Sequence, residues 1–238
     1  MAELIVALDV ASTAEVARTV DLLGDAVSFY KIGLELFSAE GPEVVRAVRK
    51  RGKRVFLDLK LHDIPRTVER AVRAGAALGV ELMTLHAAGG RAMIRAAKEG
   101  ARSAGADAPR LLAVTMLTSL DQADLADFGV ARSMAEQVEA LGRLACESGA
   151  DGIVCSPQEV ARMRTVLGAD ALVVTPGVRP AGAEIGDQKR VATPAAAVRN
   201  GSTHLVVGRP ILEASDPCAA ARAIVAEMSA AAYECGGV

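Results

Sequence analysis

The chain has 238 residues, of which 51% are apolar and 24% charged, with a formal net charge of −2. That balance supplies a sizeable core and argues against the basic footprint of a nucleic-acid or anionic-membrane partner. Aromatics make up only 3% and tryptophan is absent, so base-stacking platforms are excluded too.

In chain order, short β-rich apolar runs fall at LIVAL (4–8), VSFYKI (27–32), RVFLDL (54–59) and LMTLH (82–86), then at LLAVT (111–115), GIVC (152–155), LVVT (172–175) and HLVVG (204–208). Helical periodicity fills the gaps. After a capping Ser12 or Thr13, AEVARTVDLL sets Val16, Val20 and Leu23 on one face. Pro42 starts a helix that aligns Val44, Val45 and Val48. Pro65, Pro157 and the pair Asp216-Pro217 mark further helix starts. Continuously apolar strands, each followed by a helix, predict parallel strands covered on both faces. Eight such units without a linker predict an α/β fold, a (β/α)8 TIM barrel, as a single domain over 1–238. A doubly wound open sheet is the competitor, but the first βα turn, LDVASTAE, lacks G-x-G-x-x-G.

Cys146, Cys155, Cys218 and Cys235 show neither C-x-x-C nor metal-ligand spacing. They read as buried or incidental thiols of a reducing cytoplasm. No run reaches the roughly 18 apolar residues of a membrane span, and MAELIVALD lacks a basic leader region. The expectation is a cytoplasmic protein with no membrane partner.

Barrels carry their chemistry at the C-terminal ends of the strands. Here those ends hold Asp9, Lys31, Asp58, Lys60 with Asp63 beyond, His86, Thr115 and Thr118, then Pro176, Gly177 and Arg179, and finally Gly208-Arg209. Asp58 and Lys60, two apart on one strand, share a face. They form either a structural ion pair or a catalytic device. The chain has 21 arginines against six lysines, yet both strand-end cations Lys31 and Lys60 are amines, which unlike guanidinium can deliver a proton. TPGVRP (175–180), DQKR (187–190) and VGRP (207–210) lie where many barrels bind phosphate, and the loop from about Gly177 to Thr193 is long enough for a lid. The alternative is a solvated loop with surface arginines. His62 and His86 lack metal-ligand spacing and suggest supporting hydrogen bonds; His204 suggests a surface or structural histidine. AAGG (87–90) predicts a turn shaped by tight packing or ligand contact.

The motifs ALD (7–9), YKIGLELF (30–37), FLDLKLHDIPRTV (56–68), HAAGG (86–90), VTMLTS (114–119), GIVCS (152–156), VTPGVR (174–179), DQKRVATP (187–194) and VVGRPI (206–211) run across nearly the whole chain. In these the sequence resembles the orotidine 5′-phosphate decarboxylase family, in its short bacterial-type form. The resemblance implies decarboxylation of orotidine 5′-phosphate (OMP) to UMP, the final step of UMP biosynthesis, with no metal and no organic cofactor. It implies Lys60 as the proton donor to C6, Asp58 beside the substrate carboxylate, and Lys31 and Asp9 at the ribose. Thr118 and Pro176 are implied at the nucleotide, and Gln188, Arg179, Gly208 and Arg209 at its phosphate. Asp63 and Thr67 are implied to reach the neighbouring site of a homodimer. Two other readings compete. One is a magnesium-dependent phosphosugar decarboxylase or aldolase on the same D-x-K-x-x-D scaffold, against which Lys31 speaks because an ammonium cannot bind a cation. The other is a barrel that senses UMP without catalysis.

Overall fold

A computed structural model describes residues 2–180 and 192–235. Eight parallel strands close into a barrel in chain order. They are β1 (Glu3–Ala7), β2 (Phe29–Gly33), β3 (Arg54–Leu61), β4 (Leu82–His86), β5 (Arg110–Val114), β6 (Gly152–Val154), β7 (Leu172–Thr175) and β8 (His204–Val207). Around them pack α1 (Thr13–Leu23), α2 (Leu34–Glu40), α3 (Glu43–Arg49), α4 (Pro65–Ala76), α5 (Gly90–Arg102) and α6 (Gln122–Asp127). The ring continues with α7 (Met134–Glu147), α8 (Val160–Leu167), α9 (Pro194–Arg199), α10 (Arg209–Leu212) and α11 (Pro217–Cys235). β1 pairs with β8 from Glu3↔His204 to Val6↔Val207, which closes the barrel. The closed (β/α)8 architecture is therefore the one the apolar runs predict. Among the described residues no helix is long and apolar enough to cross a membrane.

Strand alternation divides the core into two layers. Ile5, Ala7, Phe29, Phe56, Leu82, Leu112, Val174 and Val206 fill the barrel interior, while the intervening strand residues pack outward against the helices. The helix faces read from periodicity are the buried ones: Val16, Val20 and Leu23 on α1, and Val44, Val45 and Val48 on α3. Ser12 caps α1, its hydroxyl accepting the Glu15 amide at 3.3 Å.

Two local expectations shift. Lys31 lies inside β2, which runs on to Gly33, instead of ending it. The helix expected at Pro157 begins at Val160, because Ser156 first holds a turn: its Oγ accepts the Gln158 amide and its carbonyl accepts the Glu159 amide. Of the two readings of His204 the structural one holds, since it is 3% exposed.

The N-terminal pole of the barrel is a charged plug. Arg54 donates to Glu3 and, through Nε and Nη2, to both Glu81 oxygens at 2.6 Å. Its guanidinium lies 4.2 Å above the Phe29 ring, and Arg110 adds a third donor to Glu81 at 3.2 Å. The open cavity lies at the other pole.

Candidate active site

The C-terminal mouth encloses a cavity of about 250 Å³. Its floor is made by the uppermost interior side chains, Ala7, Phe56, Val114, Val154 and Val206, together with Cys155. Against this apolar floor stand Asp9, Lys31, Asp58 and Lys60, while Thr118, Pro176, Arg179, Gly208 and Arg209 line the rest of the cavity. Nine of the twelve predicted site residues are thus brought together.

The other three are not. Asp63 and Thr67 are exposed and outside the cavity lining. The Asp63 carboxylate accepts the Ile64 amide at 2.6 Å, next to an Ile64 side chain that is 67% exposed. Gln188 lies outside the described residues, as does most of the loop read as a lid.

The four charged groups form an alternating row. Lys60 Nζ donates to Asp58 Oδ2 at 2.8 Å, and Lys31 Nζ approaches the same oxygen at 3.8 Å. Lys31 Nζ also donates to Asp9 Oδ1 at 3.5 Å. Exposure differs sharply along the row. The side chains of Asp58 and Lys31 are 11% and 13% exposed, whereas Lys60 is 34% and Asp9 59% exposed. The inner carboxylate is thereby held by two ammonium groups, which offsets its desolvation, and Lys60 keeps access to the cavity.

At the opposite end, Gly208 sits between β8 and the Arg209-Pro210 start of α10. A Cβ there would come within 3.0 Å of Asp9 Oδ2 and 3.4 Å of the Ala7 Cβ. A side chain at this turn would crowd the Asp9 carboxylate, which would have to give way by a few tenths of an ångström.

The histidines do not make the supporting hydrogen bonds expected of them. The rings of His62 and His86 lie 5.4 Å apart at a 36° tilt, and neither side chain has a hydrogen bond among the described residues. Burial first, then His62 and Lys60, pull the His86 pKa below the ordinary histidine value. Among the described residues no three His, Cys, Asp or Glu side chains are grouped to hold a metal ion. In the AAGG turn Gly90 adopts φ +82°, which favours glycine, and a Cβ on Gly89 would displace the end of the Met93 side chain.

Two residues escaped the sequence reading. Cys155, buried as the sequence allows, lies in the cavity floor, which cysteine spacing does not reveal. Thr84 is 1% exposed beneath the charged row; it accepts the Lys60 amide at 2.9 Å and donates to Asp58 Oδ1 at 2.8 Å. The available signal was strand alternation, which places Thr84 on the same inward face as Leu82.

Residues 2–224 match the model of the orotidine 5′-phosphate decarboxylase / HUMPS family. An orotidine 5′-phosphate decarboxylase of Methylobacterium sp. (strain 4-46) is 54% identical over 228 residues, covering 96% of each chain. One from Moorella thermoacetica is 51% identical over 231 residues, covering 95% of this chain and 92% of its own. The crystal structure of orotidine 5′-phosphate decarboxylase from Lactobacillus acidophilus is similar with a TM-score of 0.86 and 43% identity, over 96% of this chain and 99% of the other.

Proposed function

The chain belongs to the orotidine 5′-phosphate decarboxylase / HUMPS family and is a carboxy-lyase that converts OMP to UMP in pyrimidine biosynthesis; we propose that it does so with Lys60 as the proton donor and without metal or organic cofactor. The observation that carries this reading is the alternating row Asp9–Lys31–Asp58–Lys60, in which Lys60 hydrogen-bonds the buried carboxylate at 2.8 Å and is the more exposed of the two ammonium groups beside it.

Loss of carbon dioxide breaks the bond from C6 and leaves its electron pair on a vinylic carbon that the ring delocalises poorly. An ammonium held at that carbon stabilises the developing charge more in the transition state than in the ground state. Lys60 then transfers a proton to C6, becomes a neutral amine, and is reprotonated from solvent. Asp58 keeps the ammonium charged and aimed; its charge also opposes the departing carboxylate. Lys31 and Asp9 bind the ribose hydroxyls. Thr118 and Pro176 hold the pyrimidine edge, and Arg179, Gln188, Gly208 and Arg209 take the phosphate, whose binding energy orients the remote C6.

The site is completed in a homodimer, with Asp63 and Thr67 serving the partner's cavity. This is supported by the exposure of both residues and of the neighbouring Ile64, and by the place of Asp63 outside the lining of its own chain's cavity. The chain acts as one domain, in the cytoplasm.

Spectrophotometric assay of OMP turnover tests the reading. Lys60→Ala should abolish turnover while UMP binding persists, and wild-type activity should survive EDTA. Near-native turnover by Lys60→Ala would refute the proton-donor role. Activity lost to EDTA and restored by magnesium would favour the metal-dependent reading, and UMP binding without any turnover would favour a sensor.

A further inference from the structure

The Lys60 backbone is the strained point of the site. Lys60 is the single non-glycine residue with positive φ among those described, at +50°. A side chain in this region is disfavoured by contact of its Cβ with the backbone and persists only where its surroundings hold it. The cause is a bulge. β3 pairs with β4 at Leu57↔Met83 and again at Leu61↔Leu85, so four steps along β3 are matched to two along β4. Two β3 residues are surplus to the ladder, and Lys60 lies among them. A surplus of two leaves Lys60 on the inward face it shares with Asp58.

A bulge leaves backbone groups without ladder partners, and a buried amide needs an acceptor. The Lys60 amide finds one in the Thr84 hydroxyl, at 2.9 Å. The hydroxyl has one proton, and that proton is directed to Asp58 Oδ1 at 2.8 Å. Asp58 is then held from two sides: Oδ1 by Thr84, Oδ2 by the Lys60 ammonium at 2.8 Å. Lys60 is tied to one carboxylate twice, directly through Nζ and indirectly through its own amide and Thr84. An apolar residue at 84 would leave both ends of this relay unsatisfied inside the barrel.

We propose that Thr84 is a positioning residue for the decarboxylation: its hydroxyl holds the bulged, positive-φ backbone of Lys60 and the rotamer of Asp58 together, so that the ammonium is aimed before substrate arrives. Thr84 does not line the cavity, and it acts only through Lys60 and Asp58. The inference rests on the proton-donor reading of Lys60.

Thr84→Val keeps the shape and removes the hydroxyl. It should lower kcat by about 10²-fold, the scale expected for a misplaced catalytic group, with UMP affinity at the native level because the phosphate contacts are remote. Thr84→Ser restores the hydroxyl and should recover most of the loss. Rates are referred to folded enzyme, quantified by UMP-binding titration, with Lys60→Ala run alongside; if Thr84→Val does not fold, Thr84→Ala makes the same comparison. A Thr84→Val kcat within about threefold of wild type, well short of that scale, would overturn the positioning role while leaving the Lys60 assignment intact. Equal impairment of the Val and Ser variants would overturn it as well, by assigning the effect to packing of the methyl group. Near-native turnover by Lys60→Ala would instead refute the underlying reading, and the relay with it.

Discussion

His204 gives the structure a measurable acid sensitivity away from the reaction. The ring is 3% exposed and meets Phe29 edge-on at 6.1 Å. Its Nδ1 lies 2.9 Å from the Thr203 hydroxyl, while Nε2 has no hydrogen-bond partner among the described residues. The nearest carboxylate, Glu3, is 4.0 Å away. Burial pulls the His204 pKa from 6.5 to about 4; Glu3 and Glu81 oppose the shift, and Arg110 and Arg54 add to it. The unfolded chain therefore takes up a proton near pH 6.5 that the folded chain refuses until about pH 4. Stability owed to the neutral ring is intact above pH 6.5 and falls as pH drops through that window. At about 1.4 kcal/mol per pH unit, the whole window is worth roughly 3 kcal/mol, and the step from pH 7 to pH 5 about 2 kcal/mol. Urea unfolding of wild type and His204→Leu at pH 7, 6 and 5 isolates this share, since the other titrating groups are common to both proteins. Wild type should lose about 2 kcal/mol more than the variant between pH 7 and pH 5. Losses equal to within about 0.5 kcal/mol would refute the assignment of a buried neutral ring. An NMR titration showing His204 with an ordinary midpoint would do the same.

Two further outcomes bear on the site. Arg209→Ala should raise KM and weaken UMP binding by about 2 kcal/mol or more, the scale of a charge-assisted phosphate contact, with a smaller effect on kcat; unchanged UMP affinity in a binding titration would remove Arg209 from the phosphate site. Mixing inactive Lys60→Ala and Asp63→Ala subunits should regenerate sites with both native residues, up to about one quarter of all sites for random pairing of equal amounts of two-fold dimers. No recovery of turnover after demonstrated subunit exchange would contradict the shared site.

Most of the scaffold was legible because its signal is local. Each strand is a short apolar run and each early helix carries its buried valines at helical spacing, so element type and buried face follow from one segment meeting an apolar neighbour. The polar residues at one end of those runs likewise marked the mouth, and Asp9, Lys31, Asp58 and Lys60 do converge there. The family motifs added what spacing does not contain: substrate, reaction and the division of roles.

What stayed hidden depends on pairs of elements far apart in sequence. That Asp58 is buried and doubly paired while Asp63, five residues later, faces solvent follows from where β3 leaves the barrel. The open choice for His204 was decided by barrel closure, which sets it opposite Glu3 on β1 and buries it beside Phe29. Thr84 was a polar residue in an apolar run until the β3–β4 register slipped and left the Lys60 amide in need of an acceptor. A chain read in one dimension carries the preference of each segment for a generic core. Register, closure and the partner of each buried polar group exist only between segments, and only the tertiary structure decides them.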